Sequence, residues 1–369
     1  MRGDSNTENG GATVSFAISY TRYLRPDGTL EGELPAFAQD PKELIPLYRM
    51  MVLTRALDEK AVALQRTGRL GTYASSLGQE AVGVGVAAAM RADDVLIPSF
   101  REQSAQLWRG VTPTEILLYW GGDERGSDFA GPRQDFPVCI PVATHVPHAA
   151  GVALAFQLRN EPRVAVCVTG DGGTSKGDFY EAINIAGVWN LPAVFIVNNN
   201  QWAISVPRSE QTAAETLAQK AIAAGIPGEQ VDGNDVIAVR DAAERAIARA
   251  RDGGGSSLIE AVTYRLSDHT TADDARRYRE DAEVSARWKD EPVSRLRRYL
   301  VDRGVWAKDD EEALLTESSQ TVDQAADEYL ATPAGAVTDM FDFLYAELPT
   351  DLVDQRETAA SQTDGGGDG

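Results

Sequence analysis

The 369-residue sequence predicts an α/β protein with a doubly wound, mostly parallel sheet, and its central segment carries the observations that predict this fold. The run 163–169 (RVAVCVT) is short, apolar and β-branched, and it enters the tight turn Gly170–Gly173 as a buried strand would. Residues 178–190 then show helical periodicity, Pro192 stops that helix, and 193–197 (AVFIV) forms a second apolar run. A β-α-β unit of this kind favours parallel pairing and a right-handed crossover.

The chain before this unit is predicted to be an arm followed by helices. Residues 1–40 contain Gly, Asp and Pro, and we expect them to form an arm that lies on the body of the protein. Apolar residues at three- and four-residue spacing predict a helix from Pro41, and a Gly- and Ala-rich pattern predicts a close-packed helix over 77–90. Two further helices are predicted, one beginning at the capping signal Thr112, Pro113 and Glu115 and one over 147–160.

The chain after the unit continues the alternation and then becomes helical and charged. A helix is predicted over 236–251 and a strand over 257–265. The predicted organisation is therefore an arm, an α/β domain over 41–280, a helical extension over 281–350 and a disordered acidic tail over 351–369.

The charge of the chain excludes several classes of partner. The formal net charge at pH 7 is −21, and no Lys- or Arg-rich stretch runs against that average. Such a chain repels nucleic-acid phosphates and anionic lipids, so neither nucleic acid nor a membrane is an expected partner. The sequence has no stretch of 18 apolar residues, and its N-terminus lacks the basic start of a signal peptide, so we expect a cytoplasmic protein.

The types of charged residue are also unusual. The chain contains 6 Lys against 29 Arg and 31 Asp against 25 Glu, which differs from the Lys and Glu enrichment of hyperthermophiles. A charge of −21 destabilises a compact protein by self-repulsion unless salt screens it. We interpret the composition as the salt adaptation of a halophile, with an ordinary acidic cytosolic protein as the alternative.

Polar side chains follow both strands of the central unit. Asp171 comes directly after the first strand, and Asn199 and Asn200 follow the second. Because parallel neighbours end at the same edge of a sheet, these side chains are expected to lie close together, where ligands of open α/β folds bind. A carboxylate and an amide oxygen suit magnesium, and the adjacent glycines let a bulky anion approach the start of the next helix. A simple strand-to-helix turn is the alternative interpretation.

The same pattern carries a family resemblance. Residues 170–205, GDGGTSKGDFYEAINIAGVWNLPAVFIVNNNQWAIS, contain the GDG…NN fingerprint of thiamine-diphosphate-binding proteins and resemble the alpha subunit of 2-oxo acid dehydrogenases. The resemblance extends from about Arg55 to Arg279 and includes the motifs at 99–103 (SFREQ), 143–151 (ATHVPHAAG), 224–235 and 264–280. It implies the thiamine-diphosphate-binding fold of the pyrophosphate-binding type.

The resemblance implies a set of metal and cofactor ligands. Asp171, Asn200 and the backbone carbonyl of Trp202 correspond to the magnesium ligands, although Trp202 stands where a tyrosine is frequent. The remaining cofactor-binding positions are the diphosphate pair Phe100 and Arg101, Val142 under the aminopyrimidine ring, and Gly170, Gly172 and Gly173 in the turn. Phe100 also stands where a tyrosine is frequent, so any hydroxyl contact is lost.

The three histidines all lie inside the family motifs. The resemblance makes His269 the active-site histidine of a loop that closes over the cofactor, and His269 and Arg101 are the expected catalytic residues. His145 either faces the substrate or has a helix-entry or cofactor-orienting role, and His148 is expected to be structural. Tyr278 and Arg279 match the end of the same loop, where family members use them to order it.

The resemblance also implies partners and a reaction. The family uses a glutamate from a separate pyrimidine-binding domain, and a chain with one α/β core has no second domain, so we expect a beta subunit in an alpha-two-beta-two assembly. The implied reaction is oxidative decarboxylation of a 2-oxo acid with transfer of the acyl group to the lipoyl domain of an acyltransferase. Pyruvate is narrowly preferred as substrate over branched-chain 2-oxo acids. Another thiamine-diphosphate enzyme or a non-catalytic relative remain the alternatives.

Overall fold

The computed structural model describes residues 5–8 and 11–363. Within them, six strands form one parallel sheet in the order β3-β9-β10-β6-β5-β4, and two short antiparallel pairs, β1-β2 and β7-β8, lie outside it. The strands are β1 (Ser5–Glu8), β2 (Gly11–Val14), β3 (Tyr20–Thr21), β4 (Val95–Ile97), β5 (Ala165–Gly170), β6 (Ala193–Asn199), β7 (Trp202–Ala203), β8 (Val206–Pro207), β9 (Gly228–Asp232) and β10 (Ser257–Val262). The predicted doubly wound parallel α/β fold is confirmed.

Helices cover both faces of this sheet and extend beyond it. They are α1 (Ile45–Arg66), α2 (Glu80–Ala89), α3 (Gln103–Arg109), α4 (Pro113–Trp120), α5 (His145–Arg159), α6 (Gly177–Val188), α7 (Arg208–Gln211), α8 (Lys220–Ala224), α9 (Val236–Arg249), α10 (Asp281–Arg287), α11 (Pro292–Asp302), α12 (Lys308–Ala331), α13 (Asp339–Asp342) and α14 (Thr350–Thr363). No helix of these described residues is long and apolar enough to cross a membrane.

The central strands are buried on both faces because their alternate side chains enter different apolar layers. In β5, Ala165 and Cys167 pack with α5 and α6, whereas Val166 and Val168 pack with α2 and α9 on the other side. The strand β6 alternates in the same way. A strand covered on both faces reads as a continuous apolar run, which is why these two strands could be recognised from sequence.

The β-α-β unit forms as the sequence predicts. Strand β5 pairs in parallel with β6, with Gly170 opposite Asn198 at the end of the ladder. Thr112 and Glu115 form the expected capping box at the start of α4. The helix expected from Pro147 begins earlier, at His145, and Asn160 ends it in a left-handed conformation. The last residues of both strands therefore lie side by side at one edge of the sheet.

The structure adds detail to the predicted arm and differs from the prediction for the tail. Within the predicted arm, Tyr20–Thr21 joins the sheet as the edge strand β3, and the backbone N–H groups of Tyr23 and Leu24 both donate to the carboxylate of Asp235, at 2.7 Å. The disordered tail predicted over 351–369 is wrong for its first part, because Thr350–Thr363 forms α14. Its Arg356 pairs with Asp342 of α13, and residues 364–369 lie outside the described residues.

Candidate functional site

The site lies at the carboxyl edge of β5 and β6. Asp171 directly follows β5, and Asn200 directly follows β6. The neighbouring strand β10 is followed by Thr263, whose backbone N–H donates to the carbonyl of Asn199 at 2.9 Å. The three strands thus end together. The structure places these sequence-predicted residues on one edge, as their position after parallel strands requires.

Asp171 is a buried carboxylate with little compensation. Its side chain is 2% exposed, and one carboxylate oxygen accepts a hydrogen bond from Nε2 of Gln211, at 3.1 Å. Burial raises the pKa of Asp171, although the bonds from Gln211 and the local backbone oppose this shift. An acid in this environment is favourable for a cation, because a positive charge would offset the loss of water.

Two neutral oxygens complete a set of hard ligands near Asp171. The Asn200 side chain is held at both ends, since Nδ2 donates to Oε1 of Gln79 at 2.9 Å and Oδ1 accepts from the N–H of Trp202 at 3.2 Å. The carbonyl of Trp202 accepts from Nη1 of Arg265 at 3.4 Å. Each oxygen keeps a free lone pair, so Asp171, Asn200 and Trp202 fit magnesium, which takes few protein ligands and keeps water and phosphate in the rest.

A metal held mainly by the protein is not supported. Residues 5–8 and 11–363 contain no group of three or more His, Cys, Asp or Glu side chains placed to hold a metal ion. One carboxylate with an amide and a carbonyl oxygen is a weaker set, which a diphosphate ligand would have to complete.

The glycine turn after β5 is shaped by close packing. A Cβ atom at Gly172 would lie 2.5 Å from Cβ of Ala203, and one at Gly173 would lie 2.5 Å from Oγ1 of Thr169. A Cβ atom at Gly170 would meet no atom within 4 Å. The glycines at 172 and 173 therefore let the turn lie against β7 and β5, and the space at Gly170 is open.

Arg101 is a buried cation whose partners are uncharged. Its side chain lies over the ring of Phe100, and its guanidinium donates to the carbonyls of Ser75 and His269, at 2.7 and 2.5 Å. Burial lowers the pKa of Arg101 to about 10, with Arg265 the next cause, so the group is charged at neutral pH. Arg265, fully buried, likewise donates to carbonyls and to a phenol, and its Nε has no partner among the described residues.

The two guanidinium groups make this region suitable for an anion. Neither donates a hydrogen bond to a carboxylate among the described residues, and the nearby acids act on them only through space. Both therefore keep positive charge that an anion can share. A diphosphate would take that charge, and arginine suits phosphate because it donates from a planar fork.

His269 is neutral and has a defined tautomer. Its Nδ1 lies 2.8 Å from Nη2 of Arg101, and because a guanidinium only donates, Nδ1 is the acceptor and Nε2 carries the proton. Burial, together with the positive charges of Arg101 and Arg265, lowers the pKa of His269 to about 4. His269 therefore offers an N–H donor and is not a cation at neutral pH.

A cavity of about 1060 Å³ lies beside these residues. Its lining contains the sequence-predicted Phe100, Val142 and His269 together with Ile204. The other lining residues are mainly apolar or aromatic, and they include Ala74, Tyr119, Trp120, Pro137, Val138 and Ile140, with Asp123, Glu124 and Asp128 as the acids. The structure thus brings Phe100, Val142 and His269 together in one cavity, and Arg101 lies behind His269, to which it is hydrogen-bonded.

The other two histidines do not lie in the cavity. His145 is 2% exposed, and its Nε2 lies 2.8 Å from the carbonyl of Val168 inside the core. Its Nδ1 has no partner among the described residues. His148 packs against the ring of Phe136. Neither lines the cavity that contains His269.

The loop that carries His269 is held by a network of its own. The carboxylate of Asp273 accepts hydrogen bonds from the backbone N–H of His269, at 3.0 Å, and from the hydroxyl of Tyr278. Nη2 of Arg265 donates to the same hydroxyl at 2.9 Å, and Arg279 donates to the carbonyls of Arg265 and Ser267. Tyr278 and Arg279 are therefore placed to order this loop.

Sequence reasoning missed four residues of the site. Arg265 lies inside the quoted motif at 264–280, so its position was a signal that was not used. Ile204 lines the cavity with a φ of 55°, a left-handed conformation that a β-branched residue rarely adopts and that often marks a functional position. Gln79 and Gln211 carry no sequence signal that distinguishes them from surface glutamines.

The parallel sheet, the hard oxygen ligands at its carboxyl edge and the buried cations Arg101 and Arg265 are the features of an α/β protein that binds an anionic ligand together with a cation. Comparison with known proteins identifies the family. The model of the family described as "Dehydrogenase E1 component" matches residues 48–337, more than half of the chain.

Two curated relatives support the same family. The chain is 43% identical over 357 residues to the 3-methyl-2-oxobutanoate dehydrogenase subunit alpha of Mycobacterium tuberculosis, covering 96% of this chain and 97% of that protein. It is 42% identical over 317 residues to the pyruvate dehydrogenase E1 component subunit alpha of Staphylococcus aureus, covering 86% of each. The chain belongs to the dehydrogenase E1 component family, as an alpha subunit of a 2-oxo acid dehydrogenase, and this membership implies thiamine diphosphate as cofactor.

Proposed function

We propose that this chain, with a beta subunit, catalyses the oxidative decarboxylation of a 2-oxo acid and the reductive acylation of a lipoyl group on an acyltransferase. The observation that carries the proposal is the position of the oxygen ligands Asp171, Asn200 and Trp202 at one sheet edge, next to two buried cations. Arg265 donates to the carbonyl of Trp202, and the ring of His269 lies between Arg265 and Arg101. Thiamine diphosphate, when bound, supplies the nucleophilic carbon and stabilises the negative charge that loss of carbon dioxide leaves on the substrate.

The residues of the chain have separate roles in this proposal. Asp171, Asn200 and the carbonyl of Trp202 hold magnesium, and Arg101 and the turn Gly170–Gly173 bind the diphosphate. Phe100 and Val142 provide apolar surface on the cavity beside them. The neutral His269 donates from Nε2 to an anionic oxygen of the reacting substrate, because its Nδ1 is occupied by Arg101.

The cavity lining, in the part of the chain that the structure describes, offers no buried carboxylate, and this supports a second subunit. The family chemistry needs a carboxylate against the aminopyrimidine ring, and a carboxylate must be buried to act there. Among the acids of the described cavity lining, Glu124 and Asp128 are exposed to solvent, and Asp123 is half-buried and bonded to Arg125. We therefore propose that a beta subunit supplies this glutamate, in an alpha-two-beta-two assembly in the cytoplasm.

Pyruvate is narrowly preferred as the commoner substrate of chains with these motifs, which match both substrate types about equally, and branched-chain 2-oxo acids are a second candidate. The apolar cavity lining, with Val138, Ile140 and Ile204, favours the second candidate, because a branched aliphatic chain buries more surface there than a methyl group. The relative that acts on a branched 2-oxo acid by name also aligns over more of this chain than the pyruvate dehydrogenase relative does.

The two candidates are separated by one kinetic comparison. The chain is co-expressed with its beta subunit, and kcat/KM is measured for pyruvate and for 4-methyl-2-oxopentanoate with an artificial electron acceptor. One additional methylene in an apolar pocket changes kcat/KM by about 10–200-fold, so a preference of that size is expected for the true substrate. Turnover of neither acid would contradict the proposed reaction.

A further inference from the structure

The segment 73–79 joins three groups of the site, although none of its own side chains belongs to the sequence-predicted set. This segment lies between α1 and α2 and has no strand or helix pairing over 73–78. The carbonyl of Ser75 accepts from Nη1 of Arg101 at 2.7 Å. Tyr73 exchanges two hydrogen bonds with Thr271 of the His269 loop, at 2.9 and 3.0 Å, and Gln79 accepts from Asn200.

Two carboxylates hold this segment: that of Glu80 accepts from the N–H of Gly78 at 3.0 Å, and that of Asp58 in α1 holds three other residues. The Asp58 carboxylate accepts hydrogen bonds from the hydroxyl of Tyr73, from Oγ of Ser75 at 2.7 Å and from the N–H of Ser76 at 2.7 Å. Oγ of Ser76 donates to it as well, at 3.2 Å. Asp58 is 3% exposed, so these bonds form away from water, where they are strong and costly to leave unmade.

The position of these bonds links Asp58 to the chemistry of the site. An irregular segment has no ladder of its own, so side-chain bonds and a few isolated backbone bonds fix its backbone. The carboxylate fixes residues 73, 75 and 76, and the opposite side of the same segment provides the carbonyl that orients Arg101 and the pair that holds Thr271. Asp58 itself reaches neither Arg101 nor His269 by a hydrogen bond.

We propose that Asp58 is a positioning residue of the cofactor site: its carboxylate fixes the 73–79 segment, and that segment places Arg101 and the His269 loop for diphosphate binding. The part of this inference that concerns diphosphate binding rests on the proposed function, whereas the part that concerns the order of the His269 loop does not. Loss of the carboxylate therefore loosens the loop even in the cofactor-free protein and weakens cofactor binding in addition.

The test uses Asp58→Asn and a matched control, Asp94→Asn, in the full chain assembled with its beta subunit. Asp94 is also a fully buried acid with four donors, namely the backbone N–H groups of Arg91 and Val164 and two groups of Arg251. It precedes β4, at the opposite edge of the sheet from the site. Both variants lose a buried carboxylate, but only one of them touches the segment.

Three quantities are measured for each variant: the melting temperature, the rate of trypsin cleavage after the exposed Arg276 and Arg277 of the loop without cofactor, and the thiamine-diphosphate dissociation constant with magnesium. Loss of a charge-assisted bond predicts that Asp58→Asn raises both the cleavage rate and the dissociation constant about tenfold. Asp94→Asn lowers the melting temperature and leaves both other quantities at the wild-type values.

The outcomes separate this inference from the proposed function. Wild-type cleavage and cofactor affinity in Asp58→Asn overturn the inference, and so does an equal change of both quantities in Asp94→Asn, which would show a general loss of stability. A wild-type protein that does not bind thiamine diphosphate contradicts the proposed function instead, while the cleavage rates still test Asp58. Should Asp58→Asn fail to fold, Tyr73→Phe removes one donor and is expected to raise the cleavage rate about threefold.

Discussion

Asp171→Asn should stabilise the cofactor-free protein while it abolishes magnesium-dependent cofactor binding. Asp171 is 2% exposed and has one side-chain donor, Gln211, so its ionised form is poorly compensated in the folded state. Burial raises the pKa of Asp171, so the folded protein favours the protonated carboxyl group. This group therefore favours folding at low pH and disfavours it as the pH rises past the raised pKa. At neutral pH the ionised carboxylate lowers the free energy of unfolding. The amide of Asn has the same shape and no charge.

The size of both effects follows from this burial. Replacing a poorly compensated buried carboxylate by an amide is worth about 1–3 kcal/mol, which raises the melting temperature of a chain of this size by about 1–4 °C. Loss of the charged magnesium ligand should weaken magnesium-dependent binding of thiamine diphosphate at least about 100-fold, or about 2.7 kcal/mol. Scanning calorimetry of the cofactor-free chain and titration calorimetry of the assembled enzyme measure the two quantities.

The two directions together make the test specific. A purely structural Asp171 would give a lower melting temperature in the variant and unchanged cofactor affinity, and that pair of results would refute the assignment of Asp171 as a ligand. Gln211→Ala serves as the control, because it removes the side-chain donor to Asp171 and leaves the carboxylate in place. This control should lower the melting temperature and retain dependence on magnesium.

The remaining predictions concern His269, Lys220 and salt. Burial and the charges of Arg101 and Arg265 lower the pKa of His269 to about 4, so its imidazole NMR signal should not titrate between pH 5 and 8. Arg101→Met should raise this pKa. Titration of the wild-type histidine near pH 6.5 would contradict the assigned environment. Lys220 donates to the carbonyl and to Oγ1 of Thr174, at 2.7 and 2.9 Å, and Oγ1 of Thr174 donates to the carbonyl of Asp171. Lys220→Met should therefore raise the dissociation constant of thiamine diphosphate about tenfold, measured by titration calorimetry. An unchanged dissociation constant would contradict this role of Lys220. The net charge of −21 predicts a melting temperature several degrees higher in ~2 M than in ~0.1 M KCl, because screening shortens the Debye length below about 3 Å, and melts that do not shift contradict salt adaptation.

Sequence reasoning reached the sheet edge because its rules are local. The two apolar runs around α6 define β5 and β6, and a parallel ladder forces Asp171 and Asn200 to the same edge. The capping box of Thr112 and Glu115 is equally local, since four consecutive positions determine it. Features of this kind depend on neighbours in the chain and can be predicted before the fold is known.

Features that depend on distant segments could not be predicted in this way. Arg265 and Gln79 reach the site from the segments that follow β10 and precede α2, and only the assembled fold shows that they hold Trp202 and Asn200. Burial of His145 against Val168 joins α5 to β5, so a motif position alone left its role open. The tail helix α14 was missed because its polar composition resembles disorder, whereas an ion pair to α13 provides a partner.

Titration of thiamine diphosphate into the chain assembled with its beta subunit, with and without magnesium, tests the central claim most directly. The oxygen ligands Asp171, Asn200 and Trp202 predict one binding event for each alpha chain that requires magnesium and disappears in Asp171→Ala. Binding that persists without magnesium, or that survives in Asp171→Ala, would contradict the account of this site.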